Sequence, residues 1–520
     1  MTRPTVSQAE AWQPEALRRL ADTWDGAVAD LIAKVDTLAF AVDSWSGDAA
    51  DAAHQRASTI AAAGDAAARA LVSASVAARD GADQIASARA DVLARIAAAR
   101  GEGFAVADDG SVSVPADPPP LLVALSGGDP GVARDMLAMR AVELTAQIAD
   151  ALDRLGAADT DAADDIAEAL RPAPIPAAAP TVPASAWPTM SQDSIAEQIA
   201  ALTPDARQRL VAEFPREVGN TDGMPWDMRV AANRINIAQA IIDTDDPGRV
   251  AFYRSLLGEV DDPTGGRDRV DRQILAFDPG RASLVELNGN LSRATSVAVL
   301  VPGLNTTIEG SAANTQTARR FVTATRGEVA TITYLGGPFP QGGNVASAVV
   351  DAANPRYARD MAPRLVAFSE DVDRTVDAKA ATGPPVPVTY IGHSYGGSIL
   401  GTAEAAGLTA DRTLYLAAAG AGVGVDDPGD WHNRNPHVVR FSMTAPGDFI
   451  QAVQGIPGGP HGADPDEMPG VIHLATGYYD DGRLMAGPNA HSDVINSPSD
   501  AWRTILAVIT GDSETLHKAS

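Results

Sequence analysis

Across 520 residues the chain carries 67 acidic against 40 basic side chains, a formal net charge of −27, and no cysteine. A surface of that sign repels nucleic-acid phosphates and anionic lipid headgroups. Without thiols there is no disulfide, thiolate nucleophile, zinc–thiolate site or iron–sulfur cluster.

Hydrophobic residues at 45% and charged residues at 21% are ordinary for a globular protein, and the length provides for two or more domains with cores of their own. The stretch MTRPTVSQAEAWQPEALRRLADTW has no basic segment followed by an apolar one, so no Sec signal peptide is expected. No unbroken apolar run approaches the ~18 residues of a membrane span. The chain is expected to be soluble, with cytoplasmic and exported placements both open.

Residues 7–43 are predicted to form one long amphipathic helix. Leu17, Leu20, Trp24, Val28, Leu31, Val35, Leu38 and Val42 recur at alternating spacings of three and four. Trp45-Ser46-Gly47 interrupts the pattern, and an alanine-rich helix follows to about Ala99. Alanine permits close packing but supplies little apolar area, so this αα-hairpin needs a third helix, in cis from residues 130–170 or in trans from a helical partner or a second copy. FAVADDGSVSV reads as a small β-hairpin turning at Asp109-Gly110, and helical patterning resumes over 130–170.

RPAPIPAAAPTVPASAWP, residues 171–188, cannot pack a core and is expected to link an all-α N-terminal domain (1–170) to a second domain (189–520). The second domain opens with helical sequence to about residue 260. From 272 the pattern changes to short apolar runs that end in Gly, Pro or Asp: QILAFDP, SLVELNGN, SVAVLVPG, VATITYLG, VPVTYIGHS, TLYLAAAG, HVVRFSMTAPGD and VIHLATGYYD. Most are separated by helix-compatible stretches from the third onward, which predicts an α/β fold with a mostly parallel sheet covered on both faces.

One strand leads into Gly392-His393-Ser394-Tyr395-Gly396, and a helix follows. Strand, tight turn and helix are what a nucleophile elbow requires: the glycines admit the turn and the serine hydroxyl is pushed out at the sheet edge. A serine needs a base. Of the eight histidines, His491 follows the last strand and precedes SDAWRTILAVIT; His461, in GGPHGADP, is its competitor, ahead of His54, His393, His432, His437, His473 and His517. For the acid, Asp448 follows a strand after a Pro-Gly turn, with Asp426 and Asp427 as runners-up and Asp493 too near His491 in sequence. The oxyanion hole would take one N–H from Tyr395 and the second from Leu304 or Asn305 in VLVPGLNTT.

The segments SVAVLVPGLNTT, YIGHSYGG, MTAPGDFI and NAHSD, with GNTDGMPWDMRVAANR ahead of them, resemble an actinobacterial α/β-hydrolase-like family of largely unassigned function. The resemblance spans about residues 190–510 and implies the α/β-hydrolase fold with Ser394, Asp448 and His491 as triad. The first hundred residues resemble the WxG helical hairpins associated with type VII secretion, although the Tyr-x-x-x-Asp/Glu signal expected beyond the second helix is missing; Tyr253 is the first tyrosine.

The activity expected is hydrolysis of a small ester or a lipid, without a cofactor or a metal. The alternative is a secretion-associated interaction protein with a vestigial hydrolase domain. A dinucleotide site is disfavoured, because Gly420, Gly422 and Gly424 lack the G-x-G-x-x-G spacing.

Overall fold

The computed structural model describes residues 3–43, 46–171, 184–342, 353–380, 383–454, 456 and 459–516. The chain falls into two compact units, Met1–Ala173 with Ala238–Asp245, and Pro174–Ile237 with Asp246–Ser520.

The first unit is built on α1 (Val6–Ala11), α2 (Glu15–Asp43), α3 (Asp48–Gly101), α4 (Pro120–Leu125) and α5 (Pro130–Ala169). The single helix expected over 7–43 is two helices. Pro14 lacks an N–H and disfavours the helical region at Gln13, and α1 has already ended at Ala11, with Trp12 in extended backbone. Trp45 lies outside the described residues, as do most of the Pro/Ala stretch and His517. Ile85, Val92 and Ile96 of α3 share a core with Leu144, Ile148, Leu152 and Leu155 of α5. Between α3 and α4, β1 (Ala105–Val106) pairs antiparallel with β2 (Val112–Ser113). By length and composition α3 is long and apolar enough to cross a membrane, although Asp and Arg interrupt its apolar stretches. Its many alanines raise mean hydropathy without supplying large side chains.

The second unit begins with helices: α6 (Gln192–Ala200), α7 (Pro204–Glu213), α8 (Pro215–Asn220), α9 (Trp226–Ile242, as far as Ile237) and α10 (Pro247–Leu257). The stretch GNTDGMPWDMR ties this helical region to the sheet. The fully buried Arg229 donates to Asp371 (2.7 Å), Asp222 (3.0 Å) and the Leu275 carbonyl (2.7 Å), while the Trp226 indole N–H and the Gly223 N–H also reach Asp371. A buried cation is tolerable here because two carboxylates and a backbone carbonyl accept from its guanidinium.

A short hairpin, β3 (Glu259–Asp261) with β4 (Arg269–Asp271), precedes the main sheet. The main strands are β5 (Gln273–Asp278), β6 (Ser283–Asn288), β7 (Ser296–Val301), β8 (Val329–Leu335), β9 (Val388–His393), β10 (Arg412–Leu416), β11 (Val439–Met443) and β12 (Ile472–His473). They coincide with the eight apolar runs and lie in the order β12-β11-β10-β9-β7-β8-β6-β5. The pairs β5–β6 and β6–β8 are antiparallel; β8, β7, β9, β10, β11 and β12 run parallel.

All six residues of β7 are buried, as a strand covered on both faces requires. Ala298 and Leu300 share a core with Ala318 and Phe321 of α11 (Ala312–Ala324) and with Ile505 and Val508 of the helix Asp500–Thr510. From β7 the chain passes to β8 on one side, then through the long helix Arg356–Ala380 to β9 on the other. The strand order thus reverses at β7, and the crevice beyond the carboxyl ends of β7 and β9 is where such sheets bind ligands.

Candidate active site

Ser394 stands directly beyond β9 at the start of the helix Tyr395–Ala405, with φ +58° and ψ −124°. A non-glycine residue in that region is strained, and the surrounding contacts must hold it there. Its N–H donates to the Leu416 carbonyl, and its own carbonyl accepts from the Gly397 and Ala419 N–H groups, each at 3.0 Å. Gly396 lets this turn lie against β7: a β-carbon there would be 2.1 Å from the Val301 carbonyl oxygen.

Asp448 lies beyond β11, past the Pro446-Gly447 turn, and is almost fully buried. One carboxylate oxygen accepts the Ile450 N–H at 3.0 Å, and the carboxylate faces His491 Nδ1 at 3.0 and 3.1 Å. A carboxylate at Nδ1 keeps the ring proton on that nitrogen, leaving Nε2 as the acceptor. His491 is 8% exposed and sits in the first turn of a short helix, Ala490–Asn496.

Ser394 and His491 line one cavity of about 790 Å³, together with Gly303, Leu304, Tyr395, Phe449 and Ile450. Its walls are otherwise mostly aliphatic, including Leu300, Val301, Ile391, Val453, Ile456 and Ile495.

The oxyanion-hole candidates separate. Tyr395 opens the helix after Ser394, at the positive end of the helix dipole. Leu304 lines the cavity. Asn305, which has φ +61°, spends its N–H on the Pro340 carbonyl (2.9 Å) and its side-chain oxygen on the Gly342 N–H (2.7 Å), so its amide is not available to an oxyanion.

The other candidates are placed elsewhere. His461 is buried with Nδ1 at 2.8 Å from Ser398 Oγ, and its ring lies edge-on to Tyr395. His473 pairs with Asp466 at 3.1 Å, and that hydrogen bond raises its pKa. His432 and His437 are exposed, and His54 is half-buried on α3. Asp427 caps a short turn by accepting the Gly429 N–H, and the Asp426 N–H is tied to Asp430. Asp493 accepts the Tyr479 hydroxyl at 2.8 Å.

Two neighbours were not singled out from the sequence for what they touch. His393 Nε2–H donates to the His491 carbonyl at 2.7 Å, linking the serine turn to the histidine helix. Burial, then the neighbouring His491, push its pKa down to about 4, so the ring is neutral around pH 7. The Phe449 ring lies 4.4 Å from that of His491. Phe449 carried one signal in the sequence: it follows the candidate acid.

Residues 278–457 match the model of a family described as alpha/beta hydrolase, a stretch that contains Ser394 and Asp448 and ends before His491. An uncharacterized protein of Mycobacterium tuberculosis, found in two strains, is 28% identical over 263 residues, 42% of this chain and 38% of its own length. The chain thus spans less than half the length of the curated relatives it matches. Among solved structures, a Thermus thermophilus protein is 16% identical, covering 46% of this chain and 99% of its own, with a TM-score of 0.22. A hyperthermophilic esterase from Pyrobaculum calidifontis is 11% identical, covering 60% and 99%, with a TM-score of 0.24. The strand order, the turn after β9 and the family match identify the second unit as an alpha/beta hydrolase fold.

Proposed function

We propose that the chain is a serine hydrolase that cleaves carboxylic esters through an acyl-enzyme. The observation that carries this reading is one apolar cavity holding a serine on a strained strand-to-helix turn and a histidine whose other nitrogen faces a buried carboxylate. The family match over residues 278–457 supports the hydrolase class.

In this reading Ser394 Oγ attacks the ester carbonyl while His491 Nε2 takes its proton. Asp448 holds the imidazole in the required tautomer and stabilises the imidazolium. The developing oxyanion is met by the N–H groups of Tyr395 and Leu304, which are fixed before the reaction and need no reorganisation. The tetrahedral intermediate collapses, the C–O bond to the alcohol breaks, and the leaving oxygen takes the proton from His491. Water, activated by the same nitrogen, then releases the acid and restores Ser394.

A fluorophosphonate probe should label the protein at Ser394, and p-nitrophenyl esters should be turned over. Labelling at another serine would move the nucleophile. An absence of both labelling and turnover would leave the vestigial, interaction-protein reading.

A further inference from the structure

The cavity over Ser394 is not uniform. Its deep part is apolar and buried, formed by Leu300 and Ile391 at the ends of β7 and β9, Ile450 beyond Asp448, and Ile495 after His491. The rim has two characters. Phe449, 54% exposed, and Ile456, 48% exposed, present aromatic and aliphatic surface to solvent.

A second stretch of rim is polar. Asn314 and the buried Thr317, one turn apart on α11, line the cavity together with the exposed Ser492 and Asn496, one turn apart on the helix Ala490–Asn496. The Thr317 hydroxyl hydrogen-bonds Asn496 Oδ1, and Asn496 Nδ2 donates to the Ser492 carbonyl at 2.9 Å. These bonds orient the Asn496 amide and leave it one further proton and one further lone pair.

An amphiphile satisfies both characters together. A fully apolar ester leaves the amides and hydroxyls of the rim without partners, and a small polar ester leaves the deep apolar part unfilled. The rim groups are neutral amides and hydroxyls, which pair with hydroxyls as donors and as acceptors and carry no charge to hold a phosphate. Resting on the serine-hydrolase reading, we infer that the substrate is a single medium-length acyl chain esterified to a small, neutral, hydroxylated alcohol, of which glycerol is the simplest.

The chain lies along Ile391, Ile450 and Ile495, and the alcohol meets Asn314 and Asn496. His491 and Asn496 line the same cavity, and in this reading the alcohol oxygen that His491 protonates departs toward the polar rim. One water is consumed and one acid and one alcohol are released.

The test uses the full chain. For p-nitrophenyl esters, kcat/KM should rise by about fourfold per buried methylene, roughly 250-fold from butyrate to octanoate. The ratio of kcat/KM for glyceryl mono-octanoate to that for ethyl octanoate should fall about tenfold in Asn496→Leu, the loss of roughly one hydrogen bond. It should fall in the same direction in Thr317→Val, which frees Asn496 to turn while keeping the side-chain shape.

A flat chain-length series, or a ratio unchanged in both variants, overturns the inference while fluorophosphonate labelling of Ser394 still stands. If Ser394 is not labelled, the hydrolase reading fails and the inference falls with it.

Discussion

At Gly303 the loop after β7 touches the serine turn after β9. A β-carbon on Gly303 would lie 2.7 Å from Ser394 Cβ, 2.9 Å from the His393 carbonyl oxygen and 3.1 Å from Ser394 Oγ. Carbon atoms pack comfortably from about 3.5 Å, so Gly303→Ala must part the two segments by roughly 0.8 Å. Neither has slack: Ser394 is fixed by three backbone hydrogen bonds, and Asn305, two residues on, is pinned by its N–H and its side chain.

The displacement therefore falls on Leu304, the proposed second oxyanion donor. Losing such a donor costs on the order of 10² to 10³ in kcat. KM for p-nitrophenyl butyrate should move little, because the deep apolar part of the cavity is untouched. Overpacking should cost about 1–3 kcal/mol, read as a lowered thermal midpoint. Leu304→Ala keeps the backbone N–H and should retain far more of kcat. If Gly303→Ala stays folded and keeps kcat within about threefold of the parent, the second donor does not come from this loop.

Ser394→Ala should abolish fluorophosphonate labelling and lower ester turnover by about 10⁴ to 10⁶; residual labelling elsewhere with full turnover would displace Ser394. Asp448→Asn should lower kcat by roughly 10³ to 10⁴ through loss of the tautomer and of the charge facing the imidazolium, whereas Asp426→Asn and Asp427→Asn, at capping positions, should be near neutral. Kinetics in which Asp426→Asn is the deficient variant would reverse the assignment. His393 has a folded pKa of about 4, below its unfolded value near 6.5, so its contribution is fully present above pH 6.5 and declines as pH falls toward 4, where only the unfolded chain takes up the proton. The stability gap between the parent and His393→Gln should narrow across that window, and a gap independent of pH would show that the ring titrates normally. Arg229→Met should destabilise the protein by about 3–5 kcal/mol in urea unfolding, since it leaves the buried Asp371 without its cation; a loss below about 1 kcal/mol would mean that the aspartates are satisfied without it.

Much of the hydrolase unit was legible because its signals are local. Each of the eight strands is an apolar run closed by a residue that cannot continue it, and the serine turn shows itself through two glycines placed where a side chain would meet backbone. Helix limits were less legible: the stripe that begins at Leu17 does not report the break that Pro14 makes just ahead of it. A period reports a face, while the break depends on one missing N–H and a steric clash.

What the sequence alone determined here is the inventory: a cysteine-free acidic chain, the strands in order, and a serine on a turn that only glycine neighbours permit. The tertiary structure decided how that inventory is used. Asp448 and His491 meet because β11 and the helix after β12 are brought to the same end of the sheet, while His461 is drawn to Ser398 and Asp427 is occupied in a cap. Asn305 and Leu304 are adjacent in sequence, yet the Asn305 N–H is committed to Pro340, a residue from another loop. Such choices rest on contacts between segments far apart in the chain, and no window of sequence contains both partners.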